Sequence, residues 1–254
     1  MVTQSPTKSP SASPSRGPTS APTADQQYAC ISSFKVDDPA YDYSLITKGK
    51  ATTAAHSVYT KMFVGGQLKN PGTISIPVDG HAYYGSLGSG GPWNFNAGST
   101  VLSTLSPANY PIDFGYYEWL ALNIKEGTYA NDRKVFVVDT PKANGACYHM
   151  FDFLGSAAQG YDKGKTLIVF TYDPADYFQQ QDKQHICLTK THDRKWGPSV
   201  LAPFAKVRLL NDAGFADGTI IAKEFSTINH NNWSDVGTGL QLHGDMYDGP
   251  IECV

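Results

Sequence analysis

Apolar residues follow three regimes along the chain. Between residues 111 and 127, Phe114, Tyr117, Ala121 and Ile124 fall at steps of three and four, behind Pro111 and Asp113 and ahead of Gly127. That rhythm predicts an α-helix of about four turns with one apolar face. Elsewhere apolar and polar residues alternate in short runs, and 61–64, 73–78, 134–138, 148–153, 166–172, 200–210, 219–225 and 240–243 read as strands. A further short helix is predicted at 173–181, where Asp173 caps and Pro174 opens the first turn. In residues 2–23 the apolar rhythm disappears, and prolines stand at 6, 10, 14, 18 and 22 among Ser and Thr. With nothing to bury, residues 1–27 read as a disordered Ser/Thr/Pro-rich linker, and 28–254 as one folded domain.

Spacing adds a longer period. Phe63-Val-Gly-Gly66 is echoed twenty residues on by Tyr83-Tyr-Gly-Ser86, Leu201-Ala-Pro203 by Ile221-Ala-Lys223, and the latter nineteen on by Leu240-Gln-Leu242. Three strands of about five residues with tight corners make one triangular turn of that length. The expected fold is therefore all-β, a three-sided parallel β-helix with the α-helix packed alongside. The tyrosine-rich stretches 37–43 and 172–178 are its expected end covers.

Composition agrees. The chain has 24 Gly, 15 Tyr and only 17% charged residues, unlike a helical bundle. Its formal net charge of −3 leaves no basic footprint for nucleic acid. No apolar run is long enough for a membrane helix. Cysteines at 30, 147, 187 and 253 include no Cys-x-x-Cys pair, which favours disulfides and an oxidising compartment over zinc. A Ser/Thr/Pro stalk fits a secreted or cell-surface location and a module of a larger secreted protein.

The strings VYTKMFVGGQL at 58–68, IDFG at 112–115, VLAPFAKV at 200–207, GTIIAKEF at 218–225 and LQLHGD at 240–245 add a resemblance. In this order they resemble the choice-of-anchor A family, an adhesive-type domain similar to the ice-binding-protein β-helix. The resemblance implies a solenoid whose first coils precede a helix lying along it, with the later coils following, in extracellular proteins on stalks or anchors. The stretch 47–53 and the loop 172–196 depart from the family pattern.

Four cysteines allow three pairings. A β-helix whose last coils return beside its first brings both termini together, so Cys30 is expected to pair with Cys253, leaving Cys147 with Cys187. Closing so long a loop constrains the unfolded chain by on the order of 4 to 5 kcal/mol in the entropy model.

Chemistry is sparse. The seven histidines are scattered, and His185, Cys187 and His192 form the nearest approach to a ligand cluster, read here as a half-disulfide with two surface histidines. Nucleophile-elbow, zinc-protease and phosphate-loop motifs are absent. No metal or cofactor is expected, and the chain does not read as an enzyme. Asp235, Asp245 and Asp248, with His243 nearby, are the carboxylates a polysaccharide-active β-helix enzyme would use. Asp37, Asp38 and Asp42 lack the ligand rhythm of a calcium loop. Ice binding needs a flat hydroxyl and methyl face, and Thr52, Thr53, Ser57, Thr60, Thr73, Ser75, Thr219 and Thr227 supply only pieces of one.

For adhesion the useful groups are aromatic and amide: Trp93, Asn94 and Asn96, then Asn231, Asn232 and Trp233. Asn232-Trp-Ser234 is also an N-glycosylation pattern. The expected function is non-catalytic extracellular adhesion to a surface or polysaccharide through an outer face of the solenoid. Ice binding is the first alternative and a polysaccharide-active enzyme the second.

Overall fold

A computed structural model of the chain describes residues 28–52, 57–69, 81–88, 100–103, 112–139, 164–171, 185–189, 196–210, 214–226 and 240–254. The linker 1–27, the strands expected at 73–78 and 148–153 and the helix at 173–181 lie outside the described residues. The elements in chain order are α1 (Phe34–Asp37), a 3-10 turn (Pro39–Asp42), β1 (Tyr43–Thr47), β2 (Ala51–Thr52), β3 (Ser57–Val58), β4 (Lys61–Lys69), β5 (His81–Leu87), β6 (Thr100–Ser103), α2 (Phe114–Asn123), β7 (Gly127–Tyr129), β8 (Arg133–Asp139), β9 (Thr166–Thr171), β10 (His185–Thr189), β11 (Ser199–Leu210), β12 (Gly214–Ala216), β13 (Ile220–Ser226) and β14 (Leu240–Leu242). The described part is β-rich, with few helices.

Strands pair into an 11-stranded sheet in the order β6-β5-β4-β1-β13-β11-β9-β8-β7, with β10 and β2 attached, and a three-stranded sheet β12-β14-β3. Every pairing between these strands is parallel except β7 with β8. One row of aligned residues runs Leu102, Tyr83, Phe63, Ile46, Ile221, Leu201, Val169, Val137. The 63/83 and 201/221 echoes are thus neighbours in register. Leu240 is a correction: it aligns with Gly214 in the smaller sheet, not with Ile221, because β14 belongs to a different ladder.

Register breaks divide the large sheet into two ladders. β4 shifts between Val64 and Gln67, and β11 between Ala202 and Lys206. Beyond the breaks a second row aligns Val207, Phe225, Ala51 and Leu68, all buried. A third row aligns Ala216, Leu242 and Val58, again buried. At the first break successive strands approach too closely for side chains. A Cβ on Gly85 would lie 2.5 Å from the Gly65 carbonyl oxygen, and one on Gly65 2.5 Å from that of Lys48.

The first ladder carries apolar residues on both surfaces: all five positions of β1 are buried. Phe63 meets Phe114 of α2 with ring centroids 5.9 Å apart, which puts the Phe63 row under the helix. α2 begins where Asp113 accepts from the backbone N–H groups of Gly115 and Tyr116. It has 10 residues instead of the expected four turns and stops at Asn123, short of the glycine stop expected at Gly127, because Ile124 bridges to Cys253 and the Lys125 N–H donates to the Glu252 carbonyl. The 34–42 stretch also sits on this side, with the Tyr117 hydroxyl donating to Asp38 at 2.7 Å. The first expected end cover, 37–43, leads into β1, which lies in the middle of the strand order, and the second, 172–178, lies outside the described residues.

The sulfurs of Cys30 and Cys253 stand at disulfide distance, 2.12 Å, joining residues 223 apart in sequence. Cys147 lies outside the described residues, and of Cys187 only the β10 backbone is described. No described helix is long and apolar enough to cross a membrane.

Candidate functional site

Past the end of β14 the chain keeps following β12. The His243 N–H donates to the Ala216 carbonyl at 2.9 Å and the Asp245 N–H to the Asp217 carbonyl at 2.6 Å. Between them Gly244 adopts φ +78°, and a Cβ there would meet Thr60 Oγ1 and Ser44 Oγ at 2.5 and 2.6 Å. Only glycine fits that turn. Two hydroxyls hold the segment further: Ser199 accepts from the Tyr247 N–H at 2.9 Å and Ser44 donates to the Leu242 carbonyl at 3.3 Å.

This backbone brings Asp217, His243 and Asp245 together, with one ligand atom from each lying within 4.8 Å of the others. His243 Nδ1 is 2.5 Å from Asp217 Oδ1, and its Nε2 3.4 Å from Gln241 Oε1. The Asp217 side chain is 7% exposed. The Tyr59 ring meets the imidazole edge-on, 4.7 Å between centroids at 82°.

Beside this cluster opens a cleft of about 580 Å³ lined by Tyr41, Asp42, Tyr59, Lys61, Asp245 and Asp248, among others. Lys61 donates to Asp42 at 2.8 Å, and Arg133 holds Asp248 in a two-pronged pair at 2.7 and 2.9 Å. That pairing, chiefly its hydrogen bonds, raises the Arg133 guanidinium above its ordinary value. Nearby, burial first, then the Tyr83 and Asp42 charges, push the Tyr43 phenol up. Tyr59 is 49% exposed and offers an open ring.

A second polar surface covers the outside of the second ladder. There Lys206 pairs with Glu224 at 3.2 Å, Gln67 aligns with Ser86, and Arg208, Thr52 and Lys69 form the adjoining row together with Ser226, which is buried.

Of the residues singled out from sequence, Asp245 and Asp248 line the cleft and His243 joins Asp245 in the cluster beside it, whereas Asp235 lies outside the described residues. Trp93, Asn94, Asn96, Asn231, Asn232 and Trp233 also lie outside them, as does His192; the side chains of His185 and Cys187 are not described. Asp37, Asp38 and Asp42 do not converge: Asp37 accepts from Ser32, Asp38 from Ala40 and Tyr117, and Asp42 from Lys61. Of the hydroxyl residues, Thr53, Thr73, Ser75 and Thr227 lie outside the described residues, and the Ser57 side chain is not described. Thr219 is buried and donates to the Tyr43 carbonyl, Thr60 meets Ser44, and Thr52 is on the second ladder. Sequence reasoning passed over Tyr41, Tyr59, Lys61 and Asp217. Asp217 precedes Gly218 and reads as a turn former, Tyr41 falls in the stretch that reads as an end cover, and Tyr59 and Lys61 fall in the string 58–68, which carries the resemblance but no recognisable chemistry. No family model, curated protein or solved structure matches this chain.

Proposed function

We propose that the chain is an extracellular adhesive module, a three-sided parallel β-helix that binds polysaccharide on its outer wall without transforming it. The carrying observation is the cleft, which sets two tyrosine rings beside carboxylates, a hydroxyl and an ammonium group on backbone fixed by parallel ladders. Aromatic faces stack on sugar rings, and charged oxygen and nitrogen groups bond their hydroxyls. Three rows of parallel register and a period near twenty support the β-helix reading. So does the resemblance to the choice-of-anchor A family, which also supports the stalked, secreted setting. A cysteine pair at disulfide distance agrees with that setting. The non-catalytic reading rests on Asp42 and Asp248, each committed to a cation of its own and so poorly placed to exchange protons with a substrate.

The test is calorimetric titration with a panel of soluble acidic and neutral polysaccharides, alongside reducing-end release. Binding of one class is expected, weakened about tenfold or more in Tyr59→Ala at an unchanged thermal midpoint. Binding that ignores this substitution, or released product, overturns the reading.

A further inference from the structure

We infer that the cleft takes a glycan bearing free amines, a polymer of at least partly deacetylated amino sugars, in preference to a neutral or an acidic one. The inference rests on the adhesive reading above and names the ligand class for that same cleft. Three of the lining side chains, Asp42, Asp245 and Asp248, are carboxylates, and one, Lys61, is a cation. The lining therefore carries a formal charge of −2, or −1 when Arg133, which holds Asp248, is counted with it.

An acidic glycan would have to draw on cations already engaged. Lys61 donates to Asp42 and stands 5.8 Å from the centre of the Tyr43 ring, and Arg133 gives both its prongs to Asp248. A sugar carboxylate or sulfate could reach either cation only by displacing its partner, and would then face that partner's charge. A neutral glycan escapes this repulsion, but its hydroxyls leave the excess negative charge of the lining uncancelled. An ammonium group cancels it. Lys61 takes Oδ2 of Asp42 and no described residue donates to Oδ1, so this carboxylate, 60% exposed, keeps an oxygen that can accept from an incoming N–H. The half-exposed Tyr59 ring serves both parts of such a ligand, because an aromatic face attracts a cation as well as stacking on a sugar.

The test compares two soluble oligosaccharides of equal length and linkage, one of glucosamine and one of N-acetylglucosamine. Both are titrated calorimetrically into the full chain at about pH 5.5, where a sugar amine is protonated. The amine-bearing oligomer is expected to bind about tenfold more tightly, with the gap closing as salt is raised. Asp42→Asn and Asp245→Asn should each narrow the gap by about threefold, and the exposed Asp42 should do so at an unchanged thermal midpoint. No binding of the glucosamine oligomer, equal or tighter binding of the acetylated one, tighter binding of an oligogalacturonate, or a gap that ignores both substitutions would each overturn the inference. Tyr59→Ala separates the two failures. If it weakens whichever oligomer binds, the adhesive reading stands while the ligand class falls; if it changes no affinity, both fall.

Discussion

The first and second ladders are built from the same strands, β4, β11 and β13, yet they meet their surroundings oppositely. On the first, Phe63, Ile46, Ile221 and Leu201 lie in one row, buried, with Phe63 against α2. On the second, the buried row of Val207, Phe225, Ala51 and Leu68 faces one way, and Lys206, Glu224, Gln67, Ser86 and Lys69 face the other. A strand buried on both faces is given over to the core; a strand with one polar face has a surface to present. The contrast separates a face covered by α2 from a polar face that no described helix covers.

The largest expected effect breaks the covered wall. Phe63 is fully buried, and truncation to Ala should cost about 3 to 5 kcal/mol, read by urea denaturation. A loss under about 1 kcal/mol would mean the row is not packed beneath α2.

A smaller effect probes the same side through pH. Burial raises the Asp38 carboxyl above 3.8, a rise its hydrogen bonds to Tyr117 and Ala40 only partly offset. A raised folded value means that ionisation destabilises. Asp38 therefore contributes most below its unfolded value, and that contribution is lost as pH climbs through the raised one. The thermal midpoint of Asp38→Asn relative to the unsubstituted protein should accordingly climb as pH is taken from about 3.5 to 7. A difference independent of pH would remove the buried charge from the account.

The smallest effect belongs to the open wall. Lys206→Ala or Glu224→Ala breaks a half-exposed pair and should cost less than about 1 kcal/mol, shrinking further in high salt. A cost comparable to that of Phe63→Ala would erase the distinction between the walls.

The two ladders also differ in how far the sequence discloses them. Phe63 with Tyr83 and Leu201 with Ile221 were legible because parallel neighbours repeat the same side-chain class at a nearly constant interval. Leu240 misled because a similar interval also links different ladders. Strand β1 escaped notice since Tyr43–Thr47, buried at every position, shows no alternation. Of the cleft and the cluster beside it, Asp245, Asp248 and His243 drew attention as acidic and imidazole groups close in sequence. Tyr41, Lys61 and Asp217 join them only through contacts across the whole chain, which no local pattern encodes.

The linkage of Cys30 to Cys253 has a mechanical consequence. Tension applied between the segment preceding Cys30 and the carboxyl end would pass through a single covalent bridge, leaving residues 31–252 between the two cysteines unloaded. The ladders would keep their shape under a pull that the bridge alone sustains. Reduction would transfer that same pull to hydrogen bonds.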